Sequence, residues 1–204
     1  MQLVAKSNNI SLSKFVSLTV AISLLLVLGI TSAYAAKRQP IDNELRKVLL
    51  EAANSSDSFT DRFEAEVWLS DMSNRMARYM PEPEDRIQFL KNVHYEAKRA
   101  DLAPELVLSV IHVESAFNRW AISSVGAQGF MQVMPFWLKE IGRDGDSLFD
   151  MQTNLRFGCT ILRHYLDREK GNLTRALARY NGSLGRFKYP NKVFDKLQNR
   201  WFRR

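Results

Sequence analysis

After residue 36 the chain reads as one helical pattern after another, with no run of alternating apolar and polar residues able to build a sheet. That restricts it to an all-α architecture. Segment 39–56 (QPIDNELRKVLLEAANSS) has a Pro/Asp start and a polar stop. Segment 59–80 sets Phe63, Val67, Trp68, Met72, Met76 and Tyr79 near three-and-four spacing, which predicts one buried face, and it ends at Pro81. PEPED (81–85) breaks the pattern and predicts a boundary. Segment 84–102 carries Ile87, Leu90, Val93 and Ala97 on one side, and Pro104 opens the next helix in the first-turn position that proline tolerates. SSVGAQG (123–129) must be a loop. Two short helical pieces, a longer helix near 151–169, LTRALARYN (173–181) and KVFDKLQNRWF (192–202) complete the chain.

The first residues have a different logic. Lys6 and Lys14 precede the apolar block FVSLTVAISLLLVLGI (15–30), and Ala33-Tyr34-Ala35 offers small residues for cleavage. Residues 1–35 therefore read as a signal peptide, or as an uncleaved anchor, since no charge falls between Lys14 and Lys37. Either way the body of the protein is exported. The chain then divides into an N-terminal helical segment, 37–85, and a larger helical domain, 86–204, with a basic tail.

With 46% hydrophobic and 25% charged residues, 204 residues suffice for a real core. That core must hold without covalent help, because Cys159 is the only cysteine. Its apolar helical setting predicts a buried small hydrophobe rather than a nucleophile. The formal charge is +7, and +5 without residues 1–35, which take away two lysines and no acid. An exported basic protein suits an anionic partner such as the cell wall or the membrane surface. Nucleic acid is not expected as a partner, since the basic residues are dispersed apart from RWFRR (200–204).

One residue breaks the rule that apolar faces stay apolar. In VLSVIHVESAFNRW (107–120), Val107, Val110 and Ile111 form a stripe that Glu114 continues. Glu114 also stands near the helix's C-terminal end. Desolvation and the negative end of the helix dipole both disfavour its ionised form, so its pKa should rise. A raised pKa is what a general acid needs near neutral pH. The alternative is a carboxylate paired with Arg119 or another base at a helix end. His112 and Glu114 form H-x-E, but residues two apart on a helix do not share a face, and one cysteine cannot complete a deaminase-type zinc site. No metal and no cofactor is expected. His94 and His164 read as ordinary structural or surface residues.

VESAFNRWAISSVGAQGFMQVMP (113–135) resembles the core of the soluble lytic transglycosylase (SLT) family, a branch of the lysozyme-like fold that includes goose-type lysozyme. The matching elements are Glu114-Ser115, Ser123 before Gly126-Ala127, then Gly129-Phe130-Met131-Gln132 with Met134-Pro135. ALARYNGSLG (176–185) follows in order, its Tyr180-Asn181 matching the family's A-x-Y-N-A-G signature. Phe130 in place of leucine, FWLKEIG (136–142), Arg179 and Gly182-Ser183 depart from the pattern. The resemblance covers about residues 86–190.

It implies an enzyme of the bacterial periplasm or cell envelope that cleaves peptidoglycan glycan strands, with any membrane association through the N-terminal segment. Glu114 would be the catalytic acid. Ser115, Ser123, Gln132, Met134, Tyr180 and Asn181 would bind substrate, and Tyr180 could also orient Glu114. Glycosidases usually employ two carboxylates. Here Glu140, Asp144, Asp146 and Asp150 carry no matching signature, so capping or surface roles are expected of them. A lone acid suffices if the muramoyl C6 hydroxyl attacks in place of water, which gives a 1,6-anhydromuramoyl end. A hydrolytic muramidase on the same fold and a non-catalytic wall-binding or assembly protein are the alternatives.

Overall fold

The computed structural model describes residues 62–202; the signal or anchor segment, the helix expected over 39–56 and the start of the 59–80 helix lie outside them. Seven α-helices follow: α1 (Arg62–Met76), α2 (Pro83–Arg99), α3 (Pro104–Glu114), α4 (Phe136–Ile141), α5 (Met151–Arg168), α6 (Leu173–Tyr180) and α7 (Lys188–Lys196). A single π-turn, Leu197–Trp201, extends α7. Among the described residues the only β pairing is two isolated antiparallel bridges, Ile122 with Gln128 and Gln128 with Val133. The all-α expectation holds. No described helix is long and apolar enough to cross a membrane.

Helix starts follow local chemistry. Pro83 and Pro104 occupy first-turn positions of α2 and α3, where a missing N–H costs nothing. Asp150 caps α5 by accepting from Thr153 N at 2.9 Å, and Asn172 caps α6 by accepting from Arg175 N at 3.0 Å. Only one short helix, α4, forms where two pieces were expected, because Gly142 leaves the helical region and the chain turns at Arg143–Asp146.

The core is one apolar cluster to which every helix from α1 to α7 contributes. Trp68, Met72 and Met76 of α1 enter it, and α1 packs on α2 across the short connection that ends at Pro83, inside PEPED. Val67, expected on the buried face, is 41% exposed, because its neighbour Trp68 takes the inward position and donates its indole N–H to Glu105 at 2.7 Å. From α2, Leu90, Val93 and Ala97 are buried as their spacing predicts.

Between α2 and α5 lies a buried carboxylate, Glu96, held by Arg99 at 2.6 Å and Arg156 at 3.5 Å. Arg99 also reaches Thr160 Oγ1 at 2.7 Å, which ties α2 to α5 where the two helices cross. Cys159 sits fully buried on α5 with its thiol pushed well up by burial, the inert state expected of it.

The chain's end closes on its middle. Trp201 is completely buried and donates its indole N–H to His112 Nδ1 of α3 at 3.2 Å. His112 Nε2 therefore carries the ring proton and faces Tyr79 Oη at 3.0 Å. Burial, aided by Lys196, Arg78 and Arg200, lowers His112 to about 4, so it is neutral at physiological pH. Arg75 of α1 ties the last turn by donating to the carbonyls of Arg200 and Phe202, both at 3.0 Å.

Candidate active site

Helix α3 is apolar almost throughout and ends on Glu114, with Ser115 as its cap residue. The chain then turns sharply through Ala116 and Phe117, at φ of 49° and 67°. Two successive left-handed non-glycine residues are strained, and their surroundings hold them. Phe117 is buried against Phe89, Tyr79 and Trp201, and Ser115 Oγ donates to the Phe130 carbonyl at 2.8 Å. This turn ends the helix at Glu114 and carries the chain into the loop that follows.

The loop that follows is folded into a small platform. Ser123 N donates to Ala127 O at 2.9 Å, Gly129 N to Ala121 O at 3.0 Å, and Gln128 and Val133 exchange bonds at 2.9 and 3.0 Å. Asn154, buried on α5, fastens the platform to the helical body. It accepts from Met131 N at 2.8 Å and donates to the carbonyls of Gln128 and Leu148, each at 2.9 Å. Gly129 lies against this amide at φ 75°, and a Cβ there would come within 2.3 Å of Asn154 Nδ2 and of Leu148 O. Only glycine fits.

Glu114 keeps partial access to solvent. Burial nevertheless raises its pKa from the usual 4.5 to about 7, and an opposing hydrogen bond from Tyr189 limits the rise. Tyr189 Oη donates to Glu114 Oε1 at 2.6 Å. Oε2 has no hydrogen-bond partner among the described residues. Arg119 is not the partner, since its guanidinium donates to the Phe149 carbonyl. The phenols of Tyr180 and Tyr189 are held well above their usual range by burial and by the nearby carboxylate, so both stay neutral.

The residues singled out in the sequence divide by what their side chains touch. Tyr180, expected to orient Glu114, donates instead to Met131 O at 2.7 Å, because the platform brings that carbonyl to it. The contact to the carboxyl falls to Tyr189, nine residues later on α7. Ser123 Oγ accepts from Ala127 N at 3.0 Å, and Gln132 Nε2 donates to the carbonyls of Ala121 and Gly129 at 3.1 and 3.0 Å. Ser115, Ser123 and Tyr180 thus build the site's backbone in the free protein. Gln132 keeps its carbonyl oxygen, Asn181 is exposed at the end of α6, and Met134 is half-buried against the core. Arg179, a departure from the motif, pairs with Glu169, at 2.7 Å from its Nε.

No second carboxylate is bonded to this group among the described residues. Asp150 caps α5, and Asp146 accepts from Arg143 N at 3.0 Å to close a turn.

The family model described as the transglycosylase SLT domain matches residues 91–201. A transglycosylase of Enterobacteria phage PRD1 is 31% identical over 118 residues, covering 54% of this chain and 43% of that protein. Membrane-bound lytic murein transglycosylase C of Actinobacillus pleuropneumoniae is 46% identical over 57 residues, covering 28% of this chain and 15% of that protein. Among solved structures, an inactive mutant of the lytic transglycosylase Slt from Pseudomonas aeruginosa is 28% identical over 52% of this chain and 20% of that one, with a TM-score of 0.41. The chain spans less than half the length of each of these proteins.

Proposed function

Because this chain belongs to the transglycosylase SLT domain family, we propose that it is a lytic transglycosylase of the bacterial envelope that cleaves the β-1,4 bond between N-acetylmuramic acid and N-acetylglucosamine in peptidoglycan. The observation that carries this reading is the carboxyl of Glu114, shifted to about 7 by burial at the end of an apolar helix and held by one neutral phenol.

The chemistry follows from that arrangement. Protonated Glu114 donates its hydrogen from Oε2 to the glycosidic oxygen, and the C1–O bond breaks with the electron pair leaving on the N-acetylglucosamine O4. The carboxylate so formed takes the proton from the muramoyl C6 hydroxyl as O6 bonds to C1. The product is a 1,6-anhydromuramoyl end, no water is consumed, and Glu114 is again protonated. The muramoyl N-acetyl oxygen assists by stabilising the cationic C1 between the two steps. One residue therefore acts as acid and then as base, which fits a site with a single bonded carboxyl. Its pKa near 7 makes both roles accessible close to neutral pH. The carbonyl oxygen of Gln132 and the amide of Asn181 accept and donate hydrogen bonds to the N-acetyl and hydroxyl groups, and Met134 packs against a sugar face.

Mass spectrometry of the fragments released from purified sacculi tests this directly. Anhydro ends, lighter by one water than reducing ends, are expected; reducing ends would make the protein a muramidase.

Tyr189 supplies a finer check. Its hydrogen bond favours the ionised carboxylate, so Tyr189→Phe removes the contact that holds the pKa down. The alkaline limb of the pH–rate profile should move to higher pH, while the maximal rate falls by about tenfold or less as the carboxyl loses its anchor. An unmoved limb would mean that the phenol does not act on the proton.

A further inference from the structure

Helix α1 lies ahead of residues 91–201, the part that the family model matches, yet the chain at its end reaches the turn behind Glu114. Tyr79, in the turn that follows α1, sets its ring against Phe117 at 4.9 Å between centroids. That is closer than Trp201 at 5.4 Å, His112 at 5.6 Å or Phe89 at 6.0 Å. The tyrosine is itself held. Its Oη accepts from His112 Nε2 at 3.0 Å and from the guanidinium of Arg78, which lies over the ring at 4.5 Å. One turn back, Arg75 fastens α1 to the carbonyls of Arg200 and Phe202.

Phe117 needs such a hold. With Ala116 it forms the middle of a turn that Asn118 N closes by donating to Ser115 O at 3.0 Å, and both middle residues have positive φ. A non-glycine backbone in that region persists only where its surroundings over-determine it. Ala116 is exposed and contributes nothing to that, so the buried ring of Phe117 is what ties the turn to the core. Were Phe117 to swing out, the turn would relax and the end of α3, where Glu114 sits, would open to water.

We propose that Tyr79 is a positioning residue for Glu114: by pinning Phe117 it keeps the turn closed, which fixes the angle of the carboxyl and shields it from water. The segment around α1 is then part of the catalytic centre and not an appended piece. This rests on Glu114 being the proton donor and adds what keeps that donor in place. Packing alone is the competing explanation, and it predicts lost stability with an unaltered carboxyl.

The test follows the Glu114 carboxyl by NMR across pH, together with kcat and KM on soluble, uncrosslinked peptidoglycan strands. Tyr79→Leu removes the ring. Its Glu114 midpoint should fall from about 7 toward 4.5, by at least about half a pH unit, as water reaches the carboxyl. At its own optimum pH, kcat should drop at least about tenfold with KM within about twofold, because groups that touch the sugars are left intact. Tyr79→Phe keeps a ring on Phe117 and loses only the bond to His112, so its midpoint and kcat should stay near those of the parent. The titratable groups around Glu114 are Tyr180 of α6 and Tyr189 of α7, both neutral, and His112 of α3, which titrates near 4. A midpoint that falls equally in both variants would assign the effect to His112 and overturn the proposal. So would a folded Tyr79→Leu protein that melts lower but keeps its midpoint. Should Tyr79→Leu not fold, Phe117→Leu cuts the same contact from the other side, with the same fall expected and an unmoved midpoint again fatal. A lowered midpoint in a variant of a protein that leaves the strands uncut supports the positioning role and counts against the proposed activity alone.

Discussion

Glu114→Gln should lose at least about 10²-fold in cleavage rate on sacculi while keeping the fold, the size expected when a general acid is removed. Glutamine retains the shape and can still accept from Tyr189, so the packing around α3 survives. What it cannot do is release and recover a proton. The same substitution has a second, opposite effect on stability. Glu114 has a folded pKa of about 7 against 4.5 when unfolded. Below about pH 4.5 the group is protonated in both states. As pH rises from there through 7, ionisation favours the unfolded chain and stability falls. Removing the carboxylate should therefore leave stability unchanged at pH 4 and raise it at pH 8, by on the order of 1–3 kcal/mol. Urea unfolding at the two pH values checks this. A variant both slower and less stable at pH 8 would point to a structural carboxylate.

Trp201→Ala should be the most damaging single substitution away from the site, costing about 3–5 kcal/mol by analogy with other buried aromatic truncations. Trp201 is completely buried, packs edge-on against Phe117 at 5.4 Å between ring centroids and satisfies His112 Nδ1. Its loss opens a cavity against the strained turn that follows Glu114 and leaves a neutral imidazole without its donor. Against a typical total of about 5–15 kcal/mol this is a large share, and the melting temperature should drop by roughly 10 °C or more. Trp201→Phe, which keeps the ring but loses the N–H, should cost about 1 kcal/mol. Thermal unfolding of both variants distinguishes a chain end that clamps the core from one that merely rests on it; a loss under about 1 kcal/mol for Trp201→Ala would indicate the latter.

What could be read from the sequence was whatever depends on neighbours along the chain. The α3 helix showed its proline start, its apolar stripe and the acid that interrupts it, and it ends at that acid. The platform loop announced itself by SSVGAQG, because chain reversals need residues that tolerate unusual backbone angles. The carboxyl's partner was not legible in this way. Tyr189 lies 75 residues from Glu114 and outside the final helix as expected, which began only at Lys192. Pro190 in fact occupies the first turn of α7, where no backbone N–H is needed, and that rule was the available signal. Tyr180 was the natural choice by motif, but which of two tyrosines reaches a carboxyl depends on how α6 and α7 pack. The same holds for Val67 and Trp68: three-and-four spacing admits both, and the interior has room for one.

In the proposed mechanism burial keeps Glu114 protonated until a glycosidic oxygen needs its hydrogen. Carboxyl-labelled glutamate NMR, assigned through Glu114→Gln and followed across pH in the free protein, reads that proton directly. A midpoint near 7 is expected for this one resonance. A midpoint in the ordinary carboxylate range, at or below 4.5, in a protein that still cleaves sacculi at full rate, would contradict it.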